Sequence, residues 1–187
     1  MSAGGPRTAP GALTLDLQVA TRSAGVPGTA QFRRWAGAAL TGRAEVTLRI
    51  VGEREGAALN RAFRGRQHST NVLTFCYGTD RGRLAGDIVL CAPLIRREAR
   101  AQRKALHDHY AHLVVHALLH LQGSDHASEC EARLMESRET LILRRLGIAD
   151  PYAGRPAHHD PGGRSGAGSP RRAQLRRQSS HGHGPRA

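Results

Sequence analysis

Apolar and polar residues change their period along this chain in a way that marks out strands and helices in turn. Leu13, Leu15, Leu17 and Val19 stand at every second position, separated by Thr14, Asp16 and Gln18, which is the period of a strand with one buried face. Gly25, Pro27 and Gly28 break the run. From Thr29 to Leu40, the residues Phe32, Trp35, Ala36, Ala39 and Leu40 recur at helical spacing, predicting an amphipathic helix with Trp35 in the core. Alternation returns between Glu45 and Val51 through Val46, Leu48 and Ile50, and helical spacing returns from Gly52 to Phe63 through Leu59. A third strand is predicted over Asn71 to Tyr77 and a fourth over Leu84 to Cys91, with a turn across Gly78 to Gly82. The continuous run Ile88, Val89, Leu90 predicts burial on both faces. Gly86-Asp87, just before it, suits a plain structural glycine first, or else a bulge or a close approach to the site.

Pro93 fits the first turn of a helix whose later residues, Arg96 to Lys104, are mostly charged and face solvent. Another helix starts near His107 and buries Leu113, Val114, Leu118 and Leu121. The last, from Ala127 to Arg145, carries Leu134, Met135, Leu141, Ile142 and Leu143. Ser128 followed by Glu131 is a capping-box arrangement at its start, and Gly147 is placed to end it. Glu131, Glu136 and Glu139 read as candidates for structural salt links more than for catalysis. The whole predicts an α+β fold in one compact domain, a four-stranded sheet covered by helices. This domain spans 13–152, between an N-terminal segment 1–12 and a tail 153–187 whose Gly, Pro, Ser and Arg content predicts disorder.

Composition narrows the setting. With 187 residues and 39% hydrophobic content, the chain suits a single soluble domain with tails. No apolar run approaches the roughly 18 residues of a membrane span, and the first dozen residues lack the apolar core of a secretory signal. Cys76, Cys91 and Cys130 are odd in number and form no CxxC pair, so a disulfide framework is not expected, a reducing cytoplasm is, and the thiols read as packing residues. The formal net charge is +13. From Gly154 onward seven arginines face only Asp160, so the remaining chain is basic in its own right. Such a surplus attracts polyanions, and RNA is the natural cytoplasmic candidate.

The chemistry concentrates in His116-Ala117-Leu118-Leu119-His120-Leu121-Gln122-Gly123-Ser124-Asp125-His126. At about 100° per residue, His116 and His120 project from one helix face a turn apart. On a continuing helix His126 would point away, so it joins them only if the chain turns. Gly123 can take the left-handed conformation that closes a helix, and Ser124 and Asp125 are turn residues. Three imidazoles with an open fourth position describe a catalytic zinc site. The spacing is also that of the metzincin proteases, but Ala117 stands where those enzymes carry their general-base Glu, which argues against a peptidase of that type. Upstream, the loop from Arg64 to Thr70 carries Arg64, Arg66 and His68. It reads either as a solvated basic loop or as an arginine fork for a phosphate.

The histidine pattern and its approach Tyr110 to Val115, the stretch Phe63-Arg64-Gly65-Arg66-Gln67-His68-Ser69-Thr70-Asn71-Val72-Leu73-Thr74-Phe75 and the stretch Leu84 to Leu90 together resemble the YbeY family of bacterial endoribonucleases. Glu131 to Glu136, Leu146-Gly147-Ile148 and Asp150-Pro151-Tyr152 resemble the family's ending, so the likeness runs from about residue 13 to 152. The resemblance implies a mixed sheet with a metal at the end of a cleft. It also implies a single-strand-specific endoribonuclease acting in small-subunit rRNA 3′-end processing, ribosome assembly and late ribosome quality control. Its expected partners are single-stranded and ribosomal RNA and small-subunit components, with no DNA and no membrane. One Zn²⁺ per chain would be held by His116, His120 and His126, and Arg64 falls on the family's functionally important arginine. Three positions depart from the family pattern: Ala117 for the usual Gly, Ser124 for an aromatic residue and Ser69 for Pro. Two other classes compete with this reading, a metal-dependent hydrolase of another substrate and a noncatalytic ribosome-assembly factor with a structural metal.

Overall fold

The computed structural model describes residues 13–66, 68–124 and 128–153. Segment 1–12 and the tail from 154 onward, for which disorder is expected, lie outside the described residues. Four strands and five helices follow in the order β1 (Leu13–Ala20), α1 (Thr29–Ala39), β2 (Arg43–Val51), α2 (Glu53–Arg64), β3 (Val72–Asp80), β4 (Arg83–Cys91), α3 (Ala92–Ala101), α4 (Leu106–Leu121) and α5 (Glu129–Arg145). The sheet order is β1-β2-β4-β3. β1 and β2 pair in parallel, as do β2 and β4, while β3 runs antiparallel to β4. The sheet is therefore mixed, with β3 on an edge.

The strand alternation sorts the side chains into two unequal layers. Ala44, Val46, Leu48, Ile50, Ile88 and Leu90 point to one face and share a core with Phe32 and Trp35 of α1 and with Val114 and Leu118 of α4. On the other face Val51, Leu73, Val89 and Cys91 form a smaller cluster with Leu59, Phe75 and Leu94. Elsewhere that second face is polar, with Arg49 paired to Glu55 at 2.7 Å and Arg83 to Glu45 at 2.8 Å. Ile88, Val89 and Leu90 are all buried, as their continuous run predicts for a central strand.

Two details differ from the sequence expectation. The turn predicted across Gly78 to Gly82 shrinks to two residues, because β3 continues to Asp80. Arg81 (φ 48°) and Gly82 (φ 75°) then form the positive-φ pair that a tight hairpin favours, while Gly78 (φ 100°) sits inside the strand at a register shift. Of the cysteines, only Cys91 is buried; Cys76 and Cys130 are exposed, so the packing role holds for one thiol of three.

Candidate metal centre

Helix α4 carries the centre, and its depth in the core fixes where the histidines stand. Tyr110, Ala111, Val114, Val115, Ala117 and Leu118 are almost fully buried, leaving His112, His116 and His120 on the half-buried side at successive turns. At its C-terminal end Gly123 takes φ 89°, and the Ser124 amide bonds back to the Leu119 carbonyl at 3.0 Å, the long-range bond of a left-handed helix closure. The predicted turn therefore forms at Gly123. Close packing of the same end depends on Gly86, where a Cβ would lie 2.6 Å from Leu121 Cδ2 and 2.7 Å from the Phe75 carbonyl oxygen. Gly86 thus has a packing role against the end of α4, and the strand irregularity lies on β3 instead.

His116 and His120 bring their Nε2 atoms to 3.1 Å, with ring centroids 4.6 Å apart. Two nitrogens about 2.0–2.1 Å from one tetrahedral zinc would stand about 3.4 Å apart, so the separation suits two ligands of a common ion. His116 Nδ1 lies 2.5 Å from Glu139 Oε1, and the other carboxylate oxygen accepts from the Tyr152 hydroxyl. With its Nδ1 proton engaged by the carboxylate, the His116 tautomer leaves the Nε2 lone pair facing His120. His112 Nε2 completes the cluster at 3.4 Å from both Glu139 Oε2 and the Tyr152 oxygen.

Glu139 is fully buried. Burial works to raise its pKa, but hydrogen bonds from His112 and His116, the His116 charge and the Tyr152 hydroxyl outweigh it and hold the group down at about 2. A dry carboxylate therefore stays ionised behind the histidines. Among the described residues, His112, His116 and Glu139 form a group able to hold a metal ion, with donor atoms within 4.8 Å of one another. The structural salt link expected of Glu139 is present, and its partners are the imidazoles of His112 and His116 on α4. A signal for this was present, because Met135, Glu139 and Leu143 are spaced by four on the buried stripe of α5. A carboxylate on such a stripe requires a partner.

The other predicted site residues are placed less completely. His126 and Asp125 lie outside the described residues. Arg64 ends α2 in an exposed position and makes no hydrogen bond or ion pair to any described residue. Gly65 caps that helix with φ 67°.

An α+β domain that directs two imidazoles to one point and backs one of them with a buried carboxylate has the build of a metal-dependent hydrolase. A family profile described as Endoribonuclease YbeY matches residues 29–147. The endoribonuclease YbeY of Nitrosomonas eutropha is 55% identical over 138 residues, 74% of this chain and 97% of that protein. That of Thiobacillus denitrificans is 50% identical over 141 residues, 75% of this chain and 96% of its own length. That of an Azoarcus strain is 54% identical over 151 residues, 75% of this chain but 60% of the relative. A solution structure from Thermotoga maritima is 20% identical with a TM-score of 0.45, covering 76% of this chain and 100% of its own. The chain belongs to the YbeY family of metal-dependent endoribonucleases.

Proposed function

We propose that this protein is a single-strand-specific, zinc-dependent endoribonuclease of the cytoplasm, acting on ribosomal RNA in small-subunit 3′-end maturation, ribosome assembly and late ribosome quality control. The observation that carries the reading is the 3.1 Å approach of His116 Nε2 to His120 Nε2, with Glu139 holding His116 from behind. His116, His120 and His126 are the ligands of one zinc ion per chain, a neutral three-imidazole set with a fourth position for substrate or water. Glu139 serves as support rather than ligand, since His116 and Tyr152 already occupy its two oxygens.

When bound, zinc supplies Lewis-acid polarisation of a phosphoryl oxygen and acidifies water towards a pKa of about 7. Ala117 places no carboxylate beside the first ligand, so a metzincin-type base is not part of the chemistry. Glu139 keeps the proton on His116 Nδ1 and so keeps Nε2 directed outward. Arg64 offers its guanidinium to the scissile phosphate and stabilises the charge that develops there. Asp125 either orients a ligand or relays a proton.

The test is zinc titration into chelator-stripped protein with matched single-stranded and duplex RNAs. Internal cleavage of the single strand returns as zinc is added, and the duplex is spared. Equal cleavage by stripped protein would contradict the metal dependence, and stoichiometric zinc without any cut would point to the assembly-factor reading.

A further inference from the structure

Large exposed apolar side chains are few among the described residues, and two of them are aromatic rings near one edge of the sheet. Phe63, on the last turn of α2, is 58% exposed, and Tyr77, on edge strand β3, is 67% exposed. Half-buried Phe75 on β3 meets the Phe63 ring edge to face with centroids 4.8 Å apart. The Tyr77 hydroxyl donates to Asp87 Oδ2 at 2.6 Å, and Asp87 is the cross-strand partner of Phe75. Tyr77 is therefore held on the same face as Phe75, by a strand that shifts register between Cys76 and Gly78. Cations flank the row: exposed Arg64 and Arg66 precede β3, and exposed Arg81 turns the hairpin after it.

The opposite face of β3 touches the metal helix. Cys76 Sγ reaches the Leu121 carbonyl at 3.6 Å, one residue beyond His120. A strand crossing this edge thus passes from the aromatic rings to the end of the helix that carries the histidines.

We infer that Phe63, Phe75 and Tyr77 form a stacking platform for unpaired bases of single-stranded RNA, with the flanking arginines holding its phosphates. Rings pre-set by packing and a hydrogen bond lose little freedom when a base lies on them, and every base offers a π-face. Bases locked inside a duplex cannot reach such a platform, so this surface supplies a physical basis for choosing single strands. The inference rests on the endoribonuclease reading and adds to it the place where substrate bases bind.

The test uses zinc-loaded protein and a short 2′-O-methyl RNA single strand, alone or annealed to its complement. Phe63→Leu keeps an apolar side chain but removes the π-face, and weakens single-strand binding by roughly 5- to 100-fold. Because the loss is not ionic, the slope of affinity against salt stays as in wild type, whereas Arg66→Gln lowers that slope by about 0.7. Phe63→Trp retains affinity, and its indole emission is quenched by the single strand but not by the duplex, over the constant background of buried Trp35. Wild-type binding of RNA with unchanged affinity in both Phe63→Leu and Tyr77→Ala would overturn the platform while leaving the endoribonuclease reading intact. Altered sedimentation of Phe63→Leu without RNA, at unchanged RNA affinity, would assign the rings to a second copy of the chain and also overturn it. No single-strand binding by wild type would remove both readings.

Discussion

Glu139 turns its two carboxylate oxygens towards different partners, one to His116 Nδ1 and one to the Tyr152 hydroxyl. A neutral amide of the same shape cannot accept on both sides, so Glu139→Gln disturbs the tautomer and orientation of His116 without opening a cavity. Supporting groups of this kind are worth about 10- to 100-fold in metal affinity, and that is the predicted loss in zinc affinity, read by chelator competition. Unchanged zinc affinity would reduce Glu139 to a packing role. Arg64 has the converse profile. Exposed and remote from the core, it contributes little to folding, so Arg64→Glu retains zinc and thermal stability but loses roughly 100-fold or more in RNA cleavage. Turnover at the wild-type rate would remove Arg64 from the reaction.

Helix α4 is positioned by a polar link at one end and by two glycines at the other. Near its start, His109 Nε2 lies 2.9 Å from Glu98 Oε2 on α3, and Asn71 donates to the same oxygen at 3.0 Å. Burial works to raise the Glu98 pKa, but the bonds from His109 and Asn71 and the charges of His109 and Arg97 outweigh it, leaving it below the ordinary 4.5. A depressed carboxyl pKa contributes stability above the ordinary value and loses it as pH falls through the folded value. Glu98→Gln is therefore less stable than wild type at neutral pH, and the gap closes on acidification below about 4.5, as read by denaturant titration across pH. A gap independent of pH would mean that the charge is not what matters. At the other end the two glycines act differently. Gly86→Ala sets a Cβ against Leu121 and the Phe75 carbonyl, an overpacking cost of about 1–3 kcal/mol. Gly123→Ala meets nothing within 4 Å, but its left-handed backbone costs about 1–2 kcal/mol. Both variants should melt earlier, and Gly123→Ala should lose more zinc affinity for its stability loss because it redirects the turn towards His126. Equal zinc affinity in wild type and Gly123→Ala would contradict that role for the turn.

Across the whole molecule, what the sequence made legible follows the period of its side chains. Alternation found β1 and β2, which bury one face, a continuous apolar run found β4, which buries both, and three- and four-residue spacing found α1, α4 and α5. The end of β3 escaped because Gly78, Thr79 and Asp80 are exposed and carry no hydrophobic signature; pairing with β4 alone extends it. His116 and His120 were legible since one helix turn relates them. Glu139 gave only the signal of a carboxylate on a buried stripe; its partners and the part of Tyr152 were not legible, because only the docking of α5 and its following turn on α4 brings them to the histidines. That the sheet is mixed was open to family resemblance alone, and the order of its strands, set by non-local pairing, was not read at all. Central to the proposed reaction are the imidazoles of this helix as holders of the metal that RNA cleavage requires. The most direct measurement is zinc content together with cleavage of a short single-stranded RNA, comparing wild type with His120→Ala under RNase-free conditions. One zinc per chain and cleavage are expected in wild type, both lost in a variant that still folds. Stoichiometric zinc in His120→Ala, or undiminished cleavage without zinc, would contradict that role of the imidazoles.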